Sequence, residues 1–173
     1  MREITTLKLI QRFMALVGER CAEPVDVYLT GGASAVLQGW RDTTIDVDLK
    51  ALPDLDQFLR QIPAIKETLK INLELAFPAD FIPELPRWKQ RSIFIAQHGK
   101  ARFYHYDFYS QALSKIERGH TQDVKDVKDM FKHGLVEADE LLRLFNAIKD
   151  KLYKYPAIDP ASFERAVTLK CAR

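Results

Sequence analysis

Two aspartates stand two residues apart in the segment Ile45-Asp46-Val47-Asp48-Leu49. Apolar and acidic residues alternate strictly there, which predicts a half-buried strand. The two-residue period of a strand sends Asp46 and Asp48 out of the same face, with Cα atoms about 6 to 7 Å apart. Carboxylates held that close repel each other, and a shared Mg²⁺, with Mn²⁺ as the alternative ion, relieves the repulsion. Mg²⁺ favours sites that combine a few carboxylates with substrate phosphates. Upstream, Leu29-Thr30-Gly31-Gly32-Ala33-Ser34 runs from a strand pattern into helix-forming residues. Glycine lets a backbone approach a ligand closely, and a helix N-terminus presents unpaired N–H groups. Gly31 and Gly32 therefore read as a phosphate cradle, with Ser34 as an added hydroxyl. A phosphate cradle and paired acids in one local unit suggest metal-assisted phosphoryl or nucleotidyl transfer. Taken singly, a Gly-Gly pair is an ordinary turn and an Asp-x-Asp strand an ordinary solvated face.

These residues need elements to position them. Leu7, Ile10, Phe13 or Met14, and Val17 mark an amphipathic helix over residues 4 to 17, followed by Gly18. Val25 to Leu29 is a strand, Ala33 to Leu37 a short helix ended by Gly39, and Ile45 to Leu49 the acidic strand. Pro53-Asp54 opens a helix with Leu55, Phe58, Leu59 and Ile62 on one stripe. Leu69 to Ala76 is a further strand, and Pro78, Pro83 and Pro86 mark an irregular loop. Ser92 to Gln97 and Ala101 to Tyr106 form a hairpin joined at His98-Gly99. From Phe108 the strand signals stop, and helices follow over 109–118, 122–133 and 138–152. A last helix opens at Asp159-Pro160. The plan is α+β: a small mixed sheet flanked by helices over 1–107, and a helical C-terminal part over 108–173 packed on it as one compact unit.

The string Gly31-Gly32-Ala33-Ser34-Ala35, then Gly39-x-Arg41-Asp42-Thr43-Thr44-Ile45-Asp46-Val47-Asp48, resembles the signature of the DNA polymerase beta-like nucleotidyltransferase superfamily. Within it, the string is most similar to the abortive-infection nucleotidyltransferase toxins and their bacterial relatives. The likeness spans about residues 28 to 50, and the rest of the chain matches only in plan. It implies a nucleoside triphosphate substrate attacked at its α-phosphate, with pyrophosphate leaving. It places phosphate on Gly31 and Gly32, with Ser34, Arg41 and Thr44 as further nucleotide contacts. It places Mg²⁺ on Asp46, Asp48 and a third carboxylate from a later strand. In Ile71-Asn72-Leu73-Glu74-Leu75, Asn72 and Glu74 share a face, and Glu74 is the charged candidate. Asp80 in the proline-rich loop competes with it. The toxin branch also carries a helical lysine ahead of a helix with paired acids. Lys115-Ile116-Glu117-Arg118 followed by Gln122-Asp123-Val124-Lys125-Asp126 is similar. Lys115 and Arg118 lie on one helix face and could grip triphosphate, while Asp123 and Asp126 could orient the lysine or act as a base. Helix-surface charge pairing is the plain alternative. The acceptor implied is RNA or tRNA ahead of a protein hydroxyl or a small molecule. A toxin would bring a cognate antitoxin protein as partner.

Composition bounds these readings. The chain has 173 residues with 47% hydrophobic and 29% charged side chains, enough apolar content to bury a core. Lys plus Arg is 26 against 24 Asp plus Glu, so a polybasic coat protein is excluded. No apolar run is long enough for a membrane span, and the start Met1-Arg2-Glu3-Ile4 lacks a leader's apolar region. Cys21 and Cys171 form no metal pattern and read as reduced thiols, so a cytoplasmic protein is expected. Neither a Gly-x-Ser-x-Gly nor a P-loop lysine pattern occurs. Arg87 to Tyr106 holds Arg87, Lys89, Arg91, Lys100 and Arg102 without an acid, interleaved with Trp88, Phe94, Phe103, Tyr104 and Tyr106. Such a surface suits RNA. Two rival readings follow: a catalytically degenerate nucleotide- or protein-binding member of the fold, and a nucleic-acid-binding module.

Overall fold

The computed structural model describes residues 4–54 and 56–172. Leu55, expected on a helix stripe, and Met1 to Glu3 of the start lie outside the described residues. By its internal contacts the chain divides into two compact units. The first is Met1–Phe77 with Ser92–Tyr106, and the second is Pro78–Arg91 with Asp107–Arg173. The architecture is α+β.

In the first unit, β1 (Thr5–Thr6) leads into α1 (Leu7–Arg20), whose start is capped by the Thr6 hydroxyl accepting from the Leu9 amide. Then come β2 (Val25–Thr30), α2 (Gly31–Gln38), β3 (Thr43–Thr44) and β4 (Asp46–Leu52). After these lie α3 (Asp56–Leu69), β5 (Asn72–Glu74), β6 (Ile93–His98) and β7 (Ala101–His105). Five strands form one mixed sheet in the order β5-β4-β2-β7-β6, and β1 pairs with β3 separately. β2 runs antiparallel to β4 and parallel to β7; β5 runs parallel to β4. The strand expected over 69–76 shortens to three residues. α2 starts at Gly31 itself, so both glycines sit in its first turn rather than in a separate loop.

Alternation divides the sheet into two faces. Val25, Val27 and Leu29, with Val47, Leu49, Leu73, Ala101 and Phe103, point to one side and are buried. There they meet Ile10, Phe13 and Val17 of α1 and Phe58 and Ile65 of α3 in one apolar cluster. The opposite face carries Asp46, Asp48 and Lys50 of β4, Asn72 and Glu74 of β5, and Tyr28 of β2.

The second unit is helical: α4 (Trp88–Arg91), α5 (Phe108–Arg118), α6 (Thr121–Lys132), α7 (Ala138–Ile148) and α8 (Pro160–Cys171). Asp107 caps α5 by accepting from the Tyr109 and Ser110 amides. Two expectations change here. The proline-rich stretch holds a 3₁₀ turn at Pro78–Asp80 and belongs with the helical unit, because its buried Ile82, Leu85 and Trp88 supply apolar side chains there. The helix expected over 138–152 ends at Ile148 and tightens into 3₁₀ turns over Lys149–Lys154. Among the described residues no helix is long and apolar enough to cross a membrane.

α1 and the β6–β7 hairpin meet at two glycines. A Cβ on Gly18 would stand 2.5 Å from the His98 carbonyl oxygen, and one on Gly99 2.6 Å from the Gly18 carbonyl oxygen. Alanine in a helix normally outperforms glycine by about 1 kcal/mol. Here overpacking of about 1–3 kcal/mol should win. Gly18→Ala is therefore expected to lower the urea midpoint, whereas a raised midpoint would show that the hairpin yields freely.

Candidate functional site

Burial of Val47, Leu49 and Ala51 leaves Asp46 and Asp48 half-buried on the other face of β4. β2 ends beside them, since Thr30 is the cross-strand partner of Asp48. Because α2 begins at the next residue, its first turn is delivered to the acids. Gly31 has φ of +61°, a left-handed conformation that favours glycine, and a Cβ there would lie 3.1 Å from Asp48 Oδ2. A side chain at position 31 would thus press on the carboxylate. Gly32 is required for a different reason. A Cβ there would fall 1.9 Å from Thr44 Oγ1 and 3.2 Å from an Arg41 guanidinium nitrogen. Thr44 is buried, and its hydroxyl donates to the Asp46 carbonyl at 3.1 Å. Gly32 therefore admits the threonine that pins the start of the acidic strand, with Arg41 alongside.

Ser34 differs from its expected role. It is fully buried, and its Oγ lies 2.6 Å from His105 Nδ1, so its bonding goes to the sheet rather than outward to a phosphate. His105 Nε2 lies 3.2 Å from Gln38 Nε2. An amide N–H can only donate, so Nε2 accepts and the ring proton sits on Nδ1, donated to Ser34. Ser34 and Gln38 are one helical turn apart, and His105 of β7 ties both to the sheet. Burial pushes the His105 pKa down to about 4, so the ring is neutral at physiological pH. The role of this histidine was not legible beforehand, because a lone His has no spacing to read.

The third acid also changes character. Parallel pairing sets Asn72 across from Asp46 and Glu74 across from Asp48. The Asn72 amide nitrogen donates to Asp46 Oδ1 and to Glu74 Oε1, the latter at 3.2 Å. Glu74 is exposed, and among the described residues no group of three His, Cys, Asp or Glu side chains converges as metal ligands. Asp80 lies in the Pro78–Asp80 turn of the helical unit.

In that helical unit, Lys115, Arg118, Asp123 and Asp126 come together. The Lys115 ammonium reaches Asp126 Oδ2 at 2.8 Å and Asp123 Oδ1 at 3.4 Å. Arg118 grips Asp123 through two nitrogens at 2.6 and 2.8 Å, and Gln122 donates to Asp126 Oδ1 at 2.9 Å. Lys115, Asp123 and Asp126 are all buried. Burial alone would raise the Asp123 carboxyl, but the Arg118 hydrogen bonds and the Lys115 charge outweigh it and hold it below its ordinary range. Asp123 is thus a weak base and serves to hold the two cations. Beside Lys115 a groove of about 360 Å³ opens, lined by Ile116, Val124, Val127, Ala166 and Leu169.

The basic aromatic stretch proves less uniform than its sequence. Arg102 pairs with Asp26 at 2.7 Å and Arg91 with Asp107 at 2.8 Å, so acids distant in sequence compensate both. Trp88, Phe103 and Tyr106 are buried. Phe94 remains exposed and packs edge-on against Tyr104, which stacks on Tyr28 at 5.1 Å.

A family described as a nucleotidyltransferase of unknown function (DUF6036) matches residues 5–164 of the chain. No curated protein and no solved structure matches it.

Two stability measurements check this geometry. Because the folded state lowers the His105 pKa from 6.5 to about 4, the unfolded chain takes up the proton first. The His105 contribution is complete above pH 6.5, erodes as pH falls and is gone below about 4, a loss of roughly 3 kcal/mol. His105→Gln should flatten the fall of the urea midpoint between pH 7 and 5; an unchanged slope would assign that fall to other groups. Lys115→Met leaves two buried carboxylates short of a cation and should cost about 3–5 kcal/mol. Adding Asp126→Leu should recover part of it in a double-mutant cycle, whereas strict additivity would mean that the pair is uncoupled.

Proposed function

The chain belongs to this nucleotidyltransferase family, and on that premise we propose a Mg²⁺-dependent enzyme that moves a nucleoside monophosphate from a nucleoside triphosphate to an acceptor hydroxyl. One observation carries the reading: Asp48 faces the side-chain-free Gly31 at the head of α2. The phosphate cradle and the carboxylates thereby share one small space. The donor set fits Mg²⁺, since two carboxylates of one strand leave coordination positions for phosphate oxygens and water. Asp46 and Asp48 would hold the ion. When bound, it supplies charge neutralisation at the triphosphate and acidity at the acceptor hydroxyl.

The remaining work belongs to the chain. The α2 amides bind phosphate at the positive end of the helix. His105, through Ser34 and Gln38, fixes the orientation of that helix. Thr44 sets where β4 begins. Lys115, held by Asp123 and Asp126, is the cation of the helical unit whose charge suits a triphosphate. In the transfer the acceptor oxygen bonds to the α-phosphorus, its proton passes to solvent water, and the bond from the α-phosphorus to the bridging oxygen breaks so that pyrophosphate leaves.

We take the acceptor to be RNA, tRNA included, with the exposed Phe94 beside Tyr104 as a surface on which a base can stack. The resemblance to abortive-infection toxins supports a toxin role with an antitoxin protein as partner. A second reading, nucleotide binding without turnover, draws on Glu74, the expected third acid, being exposed and bonded to Asn72 rather than converging with Asp46 and Asp48.

Incubation with each labelled triphosphate and total RNA tests the proposal. The wild type should label RNA, and Asp46→Ala with Asp48→Ala should reduce labelling to background. Undiminished labelling by that variant would overturn the metal assignment. Calorimetric nucleotide binding without pyrophosphate release would favour the second reading.

A further inference from the structure

The bonding of Asn72 bears on how many ions the site takes. Asn72 shares its register position with Asp46 and its strand with Glu74, all on one face of the sheet. A side-chain amide has two N–H donors and one carbonyl acceptor. Here the nitrogen serves carboxylates on both sides, Asp46 Oδ1 and Glu74 Oε1. The edge turned toward the two acids is therefore the donor edge, which carries partial positive charge and has no lone pair to give a metal. A cation bridging Asp46 and Glu74 would have to sit where that nitrogen sits. An acid in its place would put three carboxylates together and demand compensation by a cation. An amide removes that demand, and no three-carboxylate group converges among the described residues.

We propose that Asn72 occupies, between Asp46 and Glu74, the position that a second divalent ion would take, so the site holds one ion with its nucleotide. This deepens the reading of Asp46 and Asp48 as metal ligands and rests on it. Asn72 is then a positioning residue. It fixes the Asp46 carboxylate for a single ion, and it keeps Glu74 engaged as a hydrogen-bond acceptor rather than as a ligand.

Equilibrium dialysis of the full chain with Mn²⁺ and a non-hydrolysable nucleoside triphosphate analogue counts the ions directly, without reference to turnover. The wild type is expected to retain one Mn²⁺ per chain, and Asn72→Asp two. Without nucleotide, Asn72→Asp should bind Mn²⁺ about tenfold or more tightly than the wild type. Two ions on the wild type overturn the proposal, and that count needs no variant to fold. One ion on a folded Asn72→Asp protein, with unchanged affinity, overturns it as well. Asp46→Asn with Asp48→Asn separates the two levels of the argument. Metal retained by that variant refutes the ligand assignment itself, whereas metal lost from it, with two ions on the wild type, refutes only the role of Asn72.

Discussion

The first unit depends on burying one face of its sheet. Val47, Leu49 and Ala51 must enter the apolar cluster beneath α1 and α3, and side chains alternate along a strand. Sliding β4 by one residue would drive Asp46 and Asp48 into that cluster and expel the valine and leucine. The hydrophobic effect therefore sets the register, and the register sets where the carboxylates stand. The same burial aligns Thr30 with Asp48 and Asn72 with Asp46. The geometry of the candidate site follows from core packing on the far side of the sheet.

Polar contacts then refine what packing has placed. His105, Thr44 and Asn72 each use a short side chain to join two elements: β7 to α2, β3 to the start of β4, and β5 to β4. Each bond alone contributes modestly, and its larger effect is geometric. The two glycines of α2 illustrate the division of labour. Gly31 keeps space beside Asp48, whereas Gly32 makes room for Thr44. In the helical unit, two carboxylates, a lysine and an arginine balance one another, which makes the burial of three of them tolerable.

Periodicity made much of this legible. The alternation at 45–49 located the acidic strand, and the apolar stripes located the helices. The glycine pair and the two aspartates were readable because their geometry is local: a strand, a turn and a short helix. Helix spacing placed Lys115 with Arg118 on one face, whereas the grouping of Lys115 with Asp123 and Asp126 came only from the family resemblance, because these residues meet across two helices. The reading weakened wherever a partner came from afar. Arg102 looked uncompensated until the sheet brought Asp26 to it, and Arg91 until Asp107 did the same. Ser34 looked like a phosphate contact until β7 brought His105 against it.

By itself, then, the sequence determined which side chains leave the same face of the same element, because that depends only on the strand and helix periods. It settled the α+β plan, the pairing of Asp46 with Asp48 and the glycine turn ahead of them. Only the tertiary structure decided which elements lie side by side, because strand order and register come from burying the whole core at once. That step set Asn72 rather than an acid opposite Asp46, closed Ser34 into a bond with His105, and turned two apparently open arginines into ion pairs.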